Sequence, residues 1–138
     1  MAELLTGTYD PKAVNCIVNG FTLTGFAEGT FIKVERVDPE LYKLHVGAHG
    51  EVGRTKNPNR AGKITVTLKS TSPSNSILDA FKNLSAPIAL AVLNKSDRNF
   101  AVAATNAWIS KDPAVEFGAE ETNTEWEFTC DELNKSYL

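Results

Sequence analysis

Apolar and polar residues alternate along much of this chain, which is the pattern of strands with one buried face. The alternation is clearest in residues 63–69, where aliphatic side chains are separated by lysines and threonines. Residues 124–130 repeat it, with two glutamates and a threonine on the outer face. The two segments are predicted to point six side chains into a core: Ile64, Val66, Leu68, Trp126, Phe128 and Cys130.

Other segments also have strand character. Asn19-Gly20 separates two β-prone runs and predicts a tight hairpin turn, because both turn residues must adopt a positive φ. Residues 88–94 are apolar throughout and predict a central strand covered on both faces, and residues 95–99 form a polar turn. We therefore predict seven or eight strands, drawn from residues 13–18, 21–25, 30–37, 41–46, 63–69, 88–94, 100–109 and 124–130.

One helix is predicted, at about residues 73–85. Ser72 suits a cap and Pro73 suits the first helical position, where its missing N–H costs nothing. Pro87 ends the segment. An apolar stripe follows the helical spacing: Ile77, Leu78, Phe81 and Leu84. We expect Phe81 to share one core with the inward residues of the two best strands. The pattern predicts a mainly β fold, an antiparallel sandwich or barrel with one flanking helix, in a single domain over residues 1–138.

Residues 47–62 differ from the rest of the chain. They hold four glycines, a proline and three basic residues, and we expect no strand or helix through most of them. Because most connections in compact domains are about 4–6 residues long, a loop of this length is usually functional or disordered. Basic residues in an acidic protein favour contact with an acidic protein partner, including another copy of the chain. The predicted inter-subunit residues are Arg54, Lys56, Asn57, Asn59 and Arg60; a disordered surface loop is the alternative.

The overall composition restricts the function classes. Hydrophobic residues make up 42% and charged residues 22%, with a formal net charge of −3. That balance argues against electrostatic binding of nucleic acid. No apolar run approaches the roughly 20 residues that cross a bilayer, so no membrane association is expected. The N-terminal residues lack the pattern of a signal peptide, and we expect folding in a cytoplasm.

No arrangement of residues predicts catalysis, a cofactor or a metal site, so we expect a protein that is not an enzyme. His45 and His49 are four residues apart, but not on the helix that would bring both rings to one metal ion. No serine or cysteine lies in a recognisable nucleophile motif. Cys16 and Cys130 lie in apolar strand-like segments and are predicted to be buried free thiols, with a structural disulfide as the alternative.

Residues 46–81 resemble a family of small virion proteins, the tail tube proteins of contractile-tailed bacteriophages. The matching features are "GEV" flanked by glycine, "AG" leading into "TVTL", "TSPSN" opening a short helix, and "EWEF" near the C-terminus. The "NPN" within the basic loop departs from the family pattern. The fold is related to that of inner-tube proteins of type VI secretion.

The resemblance implies a structural subunit of the phage tail. Six copies would form a ring, and rings would stack into a hollow tube inside a contractile sheath. The implied partners are further copies, the tail sheath protein, and baseplate, tube initiator and terminator proteins. The tape measure protein and DNA would pass through the lumen without sequence-specific binding. The location would be the virion tail, assembled in the bacterial host cytoplasm.

Charge suggests which strand faces line such a channel. A lumen for DNA should be neutral or acidic, because basic walls would bind phosphates. We therefore expect Glu125 or Glu127 to approach the lumen, and Lys63 and Lys69 to lie away from it; ordinary solvated strand faces are the alternative. Two other functions stay open at this point. One is a tube terminator or baseplate component of the same fold, and the other is a monomeric ligand-binding β-barrel.

Overall fold

Most strands of the protein belong to one antiparallel sheet. The computed structural model describes residues 7–84, 86–95 and 100–137. Its strands are β1 (Val14–Val18), β2 (Phe21–Thr22), β3 (Ile32–Arg36), β4 (Tyr42–Val46), β5 (Val52–Lys56), β6 (Gly62–Lys69), β7 (Ile88–Asn94), β8 (Phe100–Lys111), β9 (Asn123–Cys130) and β10 (Asn134–Tyr137), and α1 (Ser74–Lys82) is its α-helix. The large sheet has the order β2-β1-β7-β8-β9-β6-β3, with β10 beside β8, and β4 and β5 form a separate pair.

The prediction of a mainly β, antiparallel fold with one flanking helix is confirmed. The described residues hold ten strands, more than the seven or eight predicted, because β5 and β10 lack a clear apolar alternation. The large sheet is open: β2 and β3 stand at its ends and do not pair with each other. The polar turn predicted at 95–99 falls largely on residues 96–99, which lie outside the described residues.

The chain between β2 and β3 joins the two ends of this sheet. The Leu23 N–H donates to the Cys16 carbonyl of β1 at 2.9 Å, and the Ala27 N–H donates to the Thr67 carbonyl of β6 at 3.1 Å. Phe26 forms an isolated bridge with Leu68. We call residues 23–27 the strap. The strap donates backbone hydrogen bonds to both β1 and β6. It therefore holds these two strands together, and the open sheet curves around its own apolar face.

The predicted turn at Asn19-Gly20 is confirmed. Both residues have a positive φ, 48° and 87°. The Asn19 backbone N–H donates to the Ala89 carbonyl at 2.9 Å, and its side-chain oxygen accepts from the Ala89 N–H at 2.8 Å. The turn is therefore fixed to β7 as well as closing β1 on β2.

The buried core is formed by the inward-facing apolar side chains of the sheet strands. Ile64, Val66, Leu68, Trp126 and Phe128 all belong to it, as predicted. Phe81 does not share their burial. It is half-buried at the margin, with its ring 6.0 Å from that of Phe21, whereas Leu78 is fully buried. The helix therefore turns Leu78 into the core, one turn earlier than expected.

Two further predictions concern β7 and the cysteines. β7 is central, between β1 and β8, but Ala89 is exposed, so the strand is covered on one face and not on both as expected. Cys16 and Cys130 are buried free thiols, as predicted. Burial raises the pKa of Cys16 to about 12, because a thiolate would lose its hydration there.

Helix α1 begins one residue later and ends three residues earlier than predicted; residue 85 lies outside the described residues. The Ser72 hydroxyl accepts a hydrogen bond from the Ser74 N–H at 3.2 Å and donates to the Thr24 carbonyl at 2.5 Å. This hydroxyl therefore satisfies one N–H at the helix start and ties it to the strap.

Candidate assembly surfaces

The strand predicted at residues 41–46 is the first half of a hairpin whose second strand, β5, lies within the predicted loop. Strand β5 pairs with β4 over five residues, from Val46 opposite Val52 to Tyr42 opposite Lys56. The expectation holds for residues 47–51 and 57–61, which lie outside any strand or helix, but it missed β5. A turn at Gly47–Gly50, with a φ of 85° at Gly50, reverses the chain, and Val52 and Thr55 favour an extended backbone.

One face of the hairpin is apolar and cationic. Residues two apart on a strand share a face, and so do directly paired residues. That rule places Tyr42, Leu44, Val46, Val52, Arg54 and Lys56 together. We call these six residues the hairpin face. The Arg54 guanidinium lies 4.1 Å from the centre of the Tyr42 ring, in cation–π contact. Every residue of β4 and β5 is exposed, with Leu44, Val46 and Val52 each about two-thirds accessible (65%, 64% and 69%).

Asparagines brace the base of the hairpin. The Asn57 side-chain amide donates to the Asp38 carboxylate at 2.8 Å and to the Glu40 carbonyl at 2.7 Å. The Asn57 side-chain oxygen accepts a hydrogen bond from the Asn59 N–H. The Asn59 side-chain oxygen in turn accepts one from the Ala61 N–H. Of the predicted inter-subunit residues, Arg54 and Lys56 therefore lie on the hairpin face, while Asn57 and Asn59 use their side chains inside the subunit. The Arg60 carbonyl accepts from the Leu133 N–H at 2.9 Å.

A second surface is the polar face of β3, β6 and β9. Paired residues place Glu35 beside Lys63, Lys33 beside Thr65, and Thr65 beside Glu127. Lys33 and Glu35 approach to 3.7 Å, and Lys63 and Glu127 to 3.6 Å. We call this surface, with Lys111 at its margin, the mixed face. Its charged residues are three lysines and three glutamates: Lys33, Lys63, Lys111, Glu35, Glu125 and Glu127.

A β-bulge brings Lys111 to this face. The pairing of β8 with β9 shifts between Ile109 and Lys111, so that Lys111 lies opposite Glu127 and its ammonium is 3.3 Å from that carboxylate. Burial of the Glu127 carboxyl opposes ionisation. The hydrogen bond and charge of Lys111, together with those of Lys63, outweigh that effect and hold the pKa of Glu127 below its usual range.

The expected separation of glutamates from lysines is wrong for Lys63. Lys63 forms an ion pair with Glu127, so the two side chains share one face. Lys69 follows two residues after Thr67 on β6, on the same side of the strand, and pairs with Asn123. Opposite charges attract across paired strands, and β6 and β9 therefore place their charged residues together.

The described residues offer no arrangement for metal chemistry. Among them, no group of three or more His, Cys, Asp or Glu side chains converges as metal ligands would. His45 instead shares a hydrogen bond with the Thr55 hydroxyl at 2.7 Å, across the hairpin. In the same part of the chain, no helix has the length and apolarity to span a membrane.

The fold matches that of tube and tube-terminator proteins of contractile injection systems. The chain is similar to the tube terminating cap of the anti-feeding prophage, with a TM-score of 0.62 and 10% identity over 100% of this chain and 97% of that one. It is also similar to a chain of the PVC extracellular contractile injection system sheath-tube complex in the extended state (TM-score 0.60, 9% identity, 95% and 93% covered). A chain of the PVC sheath/tube terminator structure gives a TM-score of 0.62 at 10% identity (96% and 99% covered).

The sequence narrows this class to one family. The family described as the bacteriophage PhiTE tail tube protein matches residues 13–137, and the chain belongs to it. A curated relative, structural protein ORF10 of Pseudomonas phage KPP10, is 37% identical over 79 residues, which cover 53% of this chain. The chain spans 45% of that relative's length. The protein is thus a structural component of a phage tail, as the resemblance of residues 46–81 implied.

The apolar residues of the hairpin face and the position of Lys111 were not predicted from the sequence. The hairpin face has an available signal, since Tyr42, Leu44 and Val46 alternate with Lys43 and His45. The matching strand was missed because Gly53 interrupts its pattern. No sequence pattern indicates that Lys111 lies on the mixed face, because a β-bulge places it there.

Proposed function

We propose that this chain is the repeating subunit of a phage tail tube. Copies join head to tail into hexameric rings, and the rings stack into a hollow conduit for DNA ejection inside a contractile sheath. The observation that carries the proposal is the hairpin: in a chain of the tail tube family, two paired strands project with every residue exposed. An isolated two-stranded hairpin is marginally stable in water, so burial against another subunit would stabilise it.

Unpaired strand edges support ring formation. Among the described strands, β3 pairs only with β6, so its outer edge offers free backbone donors and acceptors. In a monomer such an edge is an aggregation risk; in a closed ring it is an assembly surface. We expect β3 of one subunit to extend the sheet of its neighbour, and head-to-tail pairing of this kind closes when the rotation between subunits closes.

The mixed face is the proposed channel wall. Its charges nearly balance, with three lysines against three glutamates and Lys69 at the end of β6, and the Glu127 carboxylate lies between the ammonium groups of Lys63 and Lys111. A wall with little net charge would hold DNA phosphates only weakly during passage, and it suits a tape measure protein equally. In this proposal Glu125 and Glu127 approach the lumen, and Glu127 does so together with Lys63 and Lys111. A density map of the assembled tube tests this: the mixed face on the outer surface would overturn it.

The hairpin supplies contacts between subunits. Arg54 and Lys56 touch the neighbouring copy, while Asn57, Asn59 and Arg60 hold the hairpin base in position. The clearest test replaces residues 43–55 by Asn-Gly, which joins the paired residues Tyr42 and Lys56 by a tight turn. We expect a folded protein that no longer forms tubes. Tubes of normal length would contradict a role for the hairpin in assembly.

The proposed partners follow from this position in the tail. They are further copies of the chain, the tail sheath protein, and the baseplate, initiator and terminator proteins at the tube ends. The similar solved complexes pair tube with sheath and with terminator. Assembly takes place in the bacterial host cytoplasm, the finished protein is in the virion tail, and the role is structural and not enzymatic.

A tube terminator is the second candidate, favoured by the similarity to the anti-feeding prophage cap. Electron microscopy of the purified full chain, with its mass measured in solution, separates the two. A tube subunit gives stacked rings of unlimited length, whereas a terminator gives single rings. A stable monomer at high concentration would contradict both and favour a ligand-binding barrel.

A further inference from the structure

The hairpin face has a complementary surface elsewhere on the same chain. We propose that it docks on the acidic segment, residues 112–121, of a second copy, an inference that rests on the proposed self-assembly. The segment carries Asp112, Glu116, Glu120 and Glu121 and no basic residue. The hairpin face carries Arg54 and Lys56 and no acidic residue. The two surfaces therefore have opposite net charge, which favours their association.

Both surfaces also expose apolar side chains. In the acidic segment, Phe117 is 93% accessible and Val115 is 70% accessible, an arrangement that costs free energy in water. On the hairpin face, Leu44, Val46 and Val52 are similarly exposed. Apolar patches bordered by charged residues are typical of protein interaction sites. The two surfaces therefore match in apolar area and are opposite in charge.

The acidic segment is held in place by the rest of the subunit. The Lys82 ammonium binds the Asp112 carboxylate at 2.9 Å, and the Thr71 hydroxyl donates to the Glu121 carboxylate at 2.5 Å. The Thr122 hydroxyl donates to the Glu116 carbonyl at 2.7 Å. The carboxylates of Glu116 and Glu120 have no ion-pair or hydrogen-bond partner among the described residues, and so remain available to a neighbouring copy.

The contact must be between copies and not within one. Across the described residues, no hydrogen bond or ion pair joins the hairpin to the acidic segment, and the Lys56 ammonium has no acidic partner there. Because the two surfaces are different patches of one chain, their contact is head to tail. Such a contact repeats through every added copy, as growth of a tube requires.

Charge reversal of each surface tests the inference. Arg54→Glu with Lys56→Glu, or Glu116→Lys with Glu120→Lys, should each abolish the tubes seen by electron microscopy. Lys43→Glu is the matched control, since it reverses a charge on the opposite face of the same hairpin and should leave tubes unchanged. Melting temperatures check folding. Neutral glutamine versions of the same pairs replace any reversed chain that fails to fold.

Complementation makes the test specific. A mixture of the two reversed chains should form tubes again, because each altered surface meets an opposite one, and the chain carrying all four changes should assemble alone. Tubes from the wild type with no restoration in either case would overturn the docking and leave the proposed function standing. Normal tubes from the Arg54→Glu, Lys56→Glu chain would also overturn it and point the hairpin face at another partner. A wild type that never assembles would overturn the proposed function itself.

Discussion

The indole N–H of Trp126 donates a hydrogen bond to the side-chain oxygen of Asn75, with 2.9 Å between nitrogen and oxygen. Trp126 is buried, so this bond satisfies a donor that water cannot reach, and it joins β9 to the first turn of α1. Asn75→Ala should lower the free energy of unfolding by about 1–3 kcal/mol, because it leaves that donor unsatisfied. Urea unfolding followed by tryptophan fluorescence measures the loss.

A double-mutant cycle isolates this bond. Asn75 also donates to the Lys69 and Ser70 carbonyls, so its removal alone mixes several effects. Trp126→Phe should lower the free energy of unfolding less in the Asn75→Ala background than in the wild type, because the indole N–H then has no partner to lose. Equal costs in both backgrounds would show that the bond contributes nothing to stability.

Replacing glycine by alanine should destabilise the protein at one glycine and have little effect at another. A Cβ at Gly62 would lie 2.6 Å from the buried Leu133 side chain, whereas one at Gly53 would meet nothing within 4 Å. Gly62→Ala should therefore destabilise by about 1–3 kcal/mol through overpacking. Gly53→Ala is the control and should change stability by less than about 0.5 kcal/mol. Thermal melting compares them, and a similar small effect at both positions would mean that Leu133 moves aside freely.

The helix should be more sensitive at Leu78 than at Phe81. Leu78 is fully buried, and Leu78→Ala should cost about 2–5 kcal/mol because it leaves a cavity. Phe81 is half-buried against Phe21 at the margin of the core, so Phe81→Ala should cost less than the ~3–5 kcal/mol of a fully buried phenylalanine. Chemical denaturation of both variants gives the order. The reverse order in the isolated subunit would place Phe81, not Leu78, at the centre of helix packing.

The Lys63–Glu127–Lys111 cluster should make stability depend on acid pH. Since the pKa of Glu127 is lower in the folded state than in the unfolded state, its contribution is fully present above the unfolded value, near 4.5, and is lost as the pH falls through the folded value. At pH 7, Glu127→Gln should destabilise by up to about 1 kcal/mol, within the range of partly exposed ion pairs.

The comparison of two variants across pH checks this cluster. The deficit of Glu127→Gln relative to the wild type should shrink as the pH is lowered below about 4.5, when the wild-type carboxylate takes up a proton. Glu125→Gln is the control, because Glu125 forms no ion pair among the described residues. A deficit that stays constant from pH 7 to pH 3 would be a packing effect and not an electrostatic one.

Local pattern predicted the parts of the fold that depend on local chemistry. The alternation in β6 and β9 correctly assigned their buried side chains, and Asn19-Gly20 correctly assigned a turn, because strand pleating and φ preferences act within a few residues. The helix and its stripe were found, but Phe81 was expected inside the core and instead packs, partly buried, against it. The spacing of apolar residues shows which face of a helix turns inward. How deeply each of these residues is buried depends on the strands against which the helix packs.

The hairpin face and the mixed face were predicted less well, because they form only when strands distant in sequence pair. Arg54 and Lys56 were singled out by their charge, but their apolar neighbours on β4 were not, since only the register of β4 with β5 brings them together. The mixed face combines β3, β6 and β9, and a bulge adds Lys111. No count of charges along the chain could have placed Lys63 next to Glu127.

The strap gives the subunit mechanical stiffness in a particular direction. Its hydrogen bonds run from Leu23 to β1 and from Ala27 to β6, so the sheet cannot spread open without breaking them. In the tube proposed above, pressure inside would push the wall outward and stretch it around the circumference. A wall built from strapped sheets carries that tension through backbone hydrogen bonds within each subunit, and so less of the load falls on the joints between subunits.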